Sequence, residues 1–191
     1  MPALAEKLNI TPEDYLAAEI DAPTRSEYVQ GEIYAMAGAS DGHVTITGNL
    51  FALIKPQVRG AGCKPYISDM KVRIGEDSAY YYPDLLVSCD SADHKRNYVK
   101  HAPTLIVEVL SPSTEAYDRG GKFAFYRQLT SLQEYVLIDP RTYRVDVFRR
   151  TPQNRWELFN FEGADAEVEF ASINFHCPMQ AVYEDVDFEL V

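Results

Sequence analysis

Residues 103–139 read PTLIVEVLSPSTEAYDRGGKFAFYRQLTSLQEYVLID, and the alternation inside them decides the fold. Leu105, Ile106, Val107, Val109 and Leu110 are aliphatic at both alternating positions, the pattern of a strand covered on both faces. EYVLID, residues 134–139, is a second strand of the same kind. Between them, Ser113 or Thr114 caps a helix that Glu115 and Asp118 favour at its positive end, running to about Leu129. Two covered strands joined by a helix require a sheet with helices on its faces.

Glu108 breaks the apolar run. In a strand covered on both sides its carboxylate points into protein, where an isolated charge costs many kcal/mol. A cation, strong donors or a proton must compensate it. Backbone donors or an arginine such as Arg73 would make it a structural acid.

Outward from this unit, Thr11 as N-cap, Pro12 at the first helical position and the acids Glu13 and Asp14 predict a short helix to about Ile20. EYVQGEIYAM, residues 27–36, alternates around Gln30-Gly31 and reads as a β-hairpin. Val44, Gly48, Phe51 and Ile54 recur at helical spacing, predicting a helix from about His43 to Lys55 closed by Pro56. CKPYI and MKVRI form one or two strands, and YYPDLLVS supplies another with Pro83 near its start. The polar loop from Ser91 to Ala102 carries His94, Lys95, Arg96, Lys100 and His101, the most basic patch in the chain. After the turn at Asp139 to Thr142, TYRVDVFRR pairs back on EYVLID; RWELFNF and residues 167–170 add edge strands, and one short helix follows Pro178. The expected class is α/β (α+β), a central mixed β-sheet flanked by helices, with an N-terminal helix and hairpin and a C-terminal meander.

The chain has 191 residues, 46% hydrophobic and 25% charged, which suits one domain over 1–191. Its 18 basic and 29 acidic residues give a net charge of -11, which argues against a protein that coats nucleic acid by bulk electrostatics. The N-terminus lacks a basic flank with a long apolar stretch, and no run of about 18 apolar residues occurs. A cytoplasmic, non-membrane protein is expected. Cys63, Cys89 and Cys177 are odd in number and far apart, so they read as reduced and mostly structural.

Asp84, Glu108 and Lys122 carry the chemistry. If their strands are neighbours, the backbones lie roughly 5 Å apart and Asp84 and Glu108 can reach one ion from the same side. Carboxylates plus water suit Mg²⁺, and a lysine beside them can orient or deprotonate an attacking water. Taken singly, Pro-Asp is common at strand starts, and Lys122 is an ordinary helix ion pair with Asp118. Gly120 and Gly121 cost a helix roughly 2 kcal/mol relative to alanine, so either the helix starts after them or the backbone approaches something closely there. Either places Lys122 near the carboxyl end of the Glu108 strand. Tyr80, Tyr81, Tyr82, Tyr117 and Tyr126 favour packing over a role as a base-stacking groove.

PDLLV, PTLIVEVLSPST and YDRGGKFAFYRQLTSLQEYVLIDP, with EYVQGEIYAMAGASDGH near the front, resemble the Uma-type family of restriction-endonuclease-like bacterial proteins, within the PD-(D/E)XK nuclease superfamily. The resemblance spans about Tyr15 to Trp156. It implies a restriction-endonuclease-like core and a DNA endonuclease using Mg²⁺ or Mn²⁺. Asp84 and Glu108, with Val109, would hold the metal. The plain pattern expects a lysine two residues after the second acid, where this chain has Leu110. Lys122 would be the displaced lysine, reaching the same site from the helix. His43, Glu32, Glu27 and Asp118 are supporting candidates. A non-catalytic interaction domain binding a partner through the basic loop or an edge strand is the alternative, and a homodimer that builds a DNA cleft is a further expectation.

Overall fold

The structure, a computed structural model, describes residues 9–189. The leader reading of residues 1–8 lies outside the described residues. Helix α1 (Pro12–Ile20) starts where expected, with Thr11 Oγ1 accepting from the Asp14 amide. Strands β1 (Ser26–Val29) and β2 (Glu32–Ala35) form the hairpin, and Gln30 and Gly31 both take positive φ, as a tight primed turn demands.

Ser40 caps α2 (Asp41–Gln57) through the His43 amide. This helix starts earlier than the periodicity predicted and does not stop before Pro56. Pro56 lies inside the last turn, where it gives up one i→i−4 amide bond, and the helix ends just after it, with Val58 as C-cap. Strands β3 (Lys64–Ile67), β4 (Lys71–Ile74), β5 (Ala79–Tyr81) and β6 (Leu85–Ser88) follow. The apolar run YYYPDLLVS is therefore two strands. Pro83 offers no amide to a ladder, and at Tyr82-Pro83-Asp84 the chain leaves one sheet and enters another.

The short β7 (Val99–Lys100) precedes β8 (Leu105–Val109). A continuous helical stretch then combines α3 (Glu115–Tyr117), a π turn over Asp118–Lys122 and α4 (Phe123–Tyr126), ending before the expected Leu129. Strands β9 (Glu134–Asp139), β10 (Arg144–Arg150), β11 (Trp156–Glu162), β12 (Glu167–Phe170) and β13 (Phe175–Pro178) complete the sheets, and α5 (Met179–Val182) is the short helix after Pro178.

A six-stranded mixed sheet, ordered β11-β10-β9-β8-β6-β3, is the centre of the molecule. Within this sheet only β8 and β9 pair in parallel, joined by the helical crossover between them. Its faces alternate as the pleat requires. Leu85, Val87, Leu105, Val107 and Val109 turn toward Ile46, Leu50 and Ile54 of α2 and the β12–β13 ribbon. Leu86, Ile106, Tyr135 and Leu137 turn the other way, against Tyr126 and the second sheet. Leu50 is fully buried, and its truncation to alanine belongs to the class costing about 2–5 kcal/mol.

That second sheet, β2-β1-β5-β4-β7, was not foreseen as separate. It packs its Tyr81, Val72 and Ile74 face on the central sheet and its Tyr28 and Tyr80 face under Tyr15 of α1. The expected mixed sheet with flanking helices is present, divided in two, and residues 167–170 do not join its edge but pair with β13 in a separate two-stranded ribbon.

The cysteine reading needs correction. Cys63 and Cys89 form a disulfide, while Cys177 is free and buried. Antiparallel pairing of β3 with β6 sets Lys64 opposite Ser88, so the cysteines just outside that pair face each other. Among the described residues no helix is long and apolar enough to cross a membrane.

Candidate active site

Both strand carboxylates lie on the face of the central sheet that meets the second sheet. Antiparallel β6 and β8 pair Leu85 with Val107 and Leu86 with Ile106. One step beyond, Asp84 stands opposite Glu108, and both share the side of Leu86 and Ile106. Asp84 Oδ2 accepts the Val109 amide at 2.7 Å, and its Oδ1 lies 2.7 Å from His43 Nε2. Asp84 is thereby fixed by the strand it faces and by the first turn of α2.

Glu108 is buried, and its Oε1 accepts the Tyr126 hydroxyl at 2.9 Å. Lys122 Nζ lies 3.1 Å from the same oxygen and 3.0 Å from Glu27 Oε1, with Asp118 Oδ1 at 3.7 Å. Arg73 pairs instead with Asp77. The cation that compensates Glu108 is Lys122.

The π turn is what delivers that lysine. Such turns are rare and cluster at functional sites, because the extra residue re-aims the side chains that follow. Here the carbonyl of Asp118 accepts the Tyr135 hydroxyl at 3.0 Å, and Arg119 holds Asp146 on β10 at 2.7 Å. A Cβ at Gly121 would run into the Tyr117 ring, whereas one at Gly120 would meet nothing within 4 Å. The close approach expected at the glycine pair occurs at Gly121 alone, and what approaches is the helix's own tyrosine.

The supporting residues divide. Glu27, on the hairpin, accepts the Tyr82 amide at 3.2 Å and pairs with Lys122. Asp118 and His43 also touch the cluster. Glu32 does not join them; its carboxylate accepts the Tyr34 hydroxyl. Val109 contributes its amide to Asp84. Leu110, at the position where a lysine was expected, is buried in the apolar layer beside Tyr126. Tyr81 presents its ring 5.4 Å from the Lys122 ammonium.

Electrostatically the site carries an excess of carboxylate. Burial raises the Glu108 carboxyl well above its ordinary value; Lys122 opposes this, and Asp84, Asp118 and Glu27 add to it. Asp118 is raised too, by burial first, with Lys122 again opposing. Burial works to lower the Lys122 ammonium, but Glu108, Glu27 and Asp118 outweigh it and hold it well above the ordinary lysine range. Lys122 is therefore a fixed cation at neutral pH.

Among the described residues no group of three or more His, Cys, Asp or Glu side chains is gathered as a metal cage. The donor set nonetheless suits a hard divalent ion of the Mg²⁺ kind, which takes one or two carboxylates and keeps several waters. Asp84 and Glu108 could supply those carboxylates from adjacent strands, and the charge around them is not neutralised by Lys122 alone.

The Uma2 family, described as "Putative restriction endonuclease", matches residues 12–180. The chain belongs to the Uma2 family. Two uncharacterized proteins of Synechocystis sp., slr1290 and sll1609, are similar along nearly their whole length. The first is 36% identical over 179 residues, covering 94% of each chain. The second is 37% identical over 174 residues, covering 90% of this chain and 98% of its own. A crystal structure from Anabaena variabilis, described as "a putative nuclease belonging to DUF820", superposes with a TM-score of 0.73 at 21% identity, covering 91% of this chain and 97% of the other. The Uma2 chain thus has a nuclease-like fold.

The basic loop of this Uma2 chain is not the open patch its composition suggested. Asp93, fully buried, accepts from Ser88 Oγ, Arg96 and the amides of His101 and Ala102. Burial alone would raise its carboxyl, but those hydrogen bonds hold it below the ordinary value. Lys100 is buried, its ammonium capped by the Asp93 and Arg96 carbonyls. The charges of Asp93, Arg96 and Lys100 are spent internally, while Lys95 stays exposed. Tyr126 and Tyr135, which bind Glu108 and the π turn, were not singled out for this site; nothing local in the sequence separates them from core tyrosines.

Proposed function

We propose that this chain is a divalent-metal-dependent endonuclease that hydrolyses DNA phosphodiester bonds. One observation carries the reading: buried Glu108 stands opposite Asp84 on the neighbouring strand, with Lys122 Nζ 3.1 Å from its carboxylate. Asp84 and Glu108, with the main chain at Val109, would hold Mg²⁺ or Mn²⁺. When bound, such an ion supplies positive charge opposite the charge that develops on a phosphoryl oxygen.

The chain's own residues do the rest. Lys122, kept charged by Glu27 and Asp118, donates hydrogen bonds to an incoming water and orients it toward phosphorus. His43 Nε2 fixes one Asp84 oxygen and the Val109 amide the other, so that carboxylate cannot rotate away. Leu110 and Tyr126 close the apolar side of Glu108 to bulk water.

Calorimetric titration of Mn²⁺ into wild type and Glu108→Gln, paired with plasmid nicking, tests this. Saturable binding and nicking by wild type, both lost in Glu108→Gln, are expected. Equal, negligible binding and no cleavage by either protein would refute it.

A further inference from the structure

Lys71 stands apart from the candidate active site and has no assigned task. It is 5% exposed, yet among the described residues its ammonium forms no ion pair and no hydrogen bond. Its nearest company is aromatic: the Tyr15 and Tyr82 ring centroids each lie 5.5 Å from Nζ. Ring faces attract a cation but do not neutralise it. Burial pulls the Lys71 ammonium below the ordinary lysine range, Glu19 opposes that, and Arg25 adds to it.

The lysine opens on a cavity of about 40 Å³ lined also by Glu19, Arg25, Asp69, Tyr82 and Tyr98. A water needs about 10–15 Å³ of such space, so the cavity has room for about three waters or one tetrahedral oxyanion. Of the acids nearby, buried Glu19 has its Oε1 engaged and Asp69 is exposed. Glu19 Oε1 accepts both the Tyr82 hydroxyl and the Ser26 amide, at 2.9 Å each. Asp69 is 3.9 Å from Arg25 and mostly in solvent. Ile20 and Tyr98, both largely exposed, form an apolar rim.

This place is back to back with the carboxylate cluster. Val72 pairs with Tyr81, so Lys71 is the cross-strand neighbour of Tyr82. Tyr81 turns toward Lys122, while Tyr80 turns the other way, onto Tyr15. Tyr82 shares the side of Tyr80, and Lys71 with it.

We propose that Lys71 and Arg25 form a binding site for the phosphate group of a small molecule, on the face of the second sheet opposite Lys122. A phosphate dianion meets both cations at once, and the guanidinium and ammonium supply donors suited to its oxygens. The aromatic walls exclude water from the ammonium, and the Ile20 and Tyr98 rim flanks any substituent the phosphate carries. The inference does not depend on nuclease activity.

Titration of inorganic phosphate into wild type, Lys71→Met and Lys71→Arg tests it. Saturable binding by wild type, weakened about tenfold or more in Lys71→Met and largely kept in Lys71→Arg, is expected. In parallel, acylation of lysines read by mass spectrometry on wild type should show phosphate protecting Lys71 selectively; this decides the matter if Lys71→Met does not fold. Tighter binding of a nucleoside 5′-monophosphate identifies a substituted phosphate as the ligand, and equal binding identifies the free ion; either supports the site. No selective protection of Lys71, or acetate competing as well as phosphate, overturns it.

Discussion

Glu108 is held by one cation and one tyrosine hydroxyl against a surplus of neighbouring acids. Removing one partner of such a buried pair strands the other, a change of about 3–5 kcal/mol. The sign of its pH dependence follows from the raised carboxyl. A group whose folded pKa exceeds its unfolded value binds more protons in the native state, so its contribution is full below the unfolded pKa and is lost as pH rises through the folded one. Denaturant midpoints measured upward from the ordinary glutamate value of 4.5 should therefore fall with pH, and Glu108→Gln should flatten that slope. A wild-type slope unchanged in the variant would show that Glu108 does not titrate in this window. Lys122, also raised, loses its contribution only above the ordinary lysine value of 10.5, outside the same window.

At the scale of elements, the π turn makes a contrast between adjacent glycines. Gly121→Ala must push the Tyr117 ring aside and break its 2.7 Å hydroxyl contact with Tyr81. We expect a loss of about 1–3 kcal/mol, whereas Gly120→Ala should be neutral or stabilise by up to about 1 kcal/mol. Thermal melts of the two variants measure the difference, and equal effects would contradict this account of the turn. The two buried strands and the hairpin were legible because their patterns are local: LIVEV and EYVLID are apolar at both alternating positions, and Gln30-Gly31 marks its own turn. The break inside YYYPDLLVS was masked, since tyrosines and aliphatics run through it and Pro83 alone signals it. Glu27 was visible only as a hairpin acid. Its meeting with Lys122 joins segments far apart in the chain, and no spacing encodes it.

Across the whole molecule, a short second sheet is laid on the central one, and the candidate site fills the seam between them. Strands of two to four residues, drawn from scattered segments, carry too little pattern to announce a separate sheet. The disulfide was hidden for a related reason: Cys63 and Cys89 lie 26 residues apart, and only the β3–β6 register brings them together. A loop of that size predicts a loss of about 2–4 kcal/mol when the bridge is removed. Unfolding with and without reductant measures it, and identical midpoints, or midpoints that also shift in Cys63→Ser/Cys89→Ser, would contradict a stabilising bridge. The seam also decides which residue reaches Glu108: Leu110 is built into the apolar layer, while the π turn brings Lys122 over the carboxylate, and we propose the water-orienting role for that lysine. Plasmid cleavage by Lys122→Met under saturating Mn²⁺, with ion binding followed in the same samples, tests that claim most directly. The account predicts retained ion binding and a rate lower by on the order of a hundredfold or more, and cleavage at the wild-type rate would contradict it.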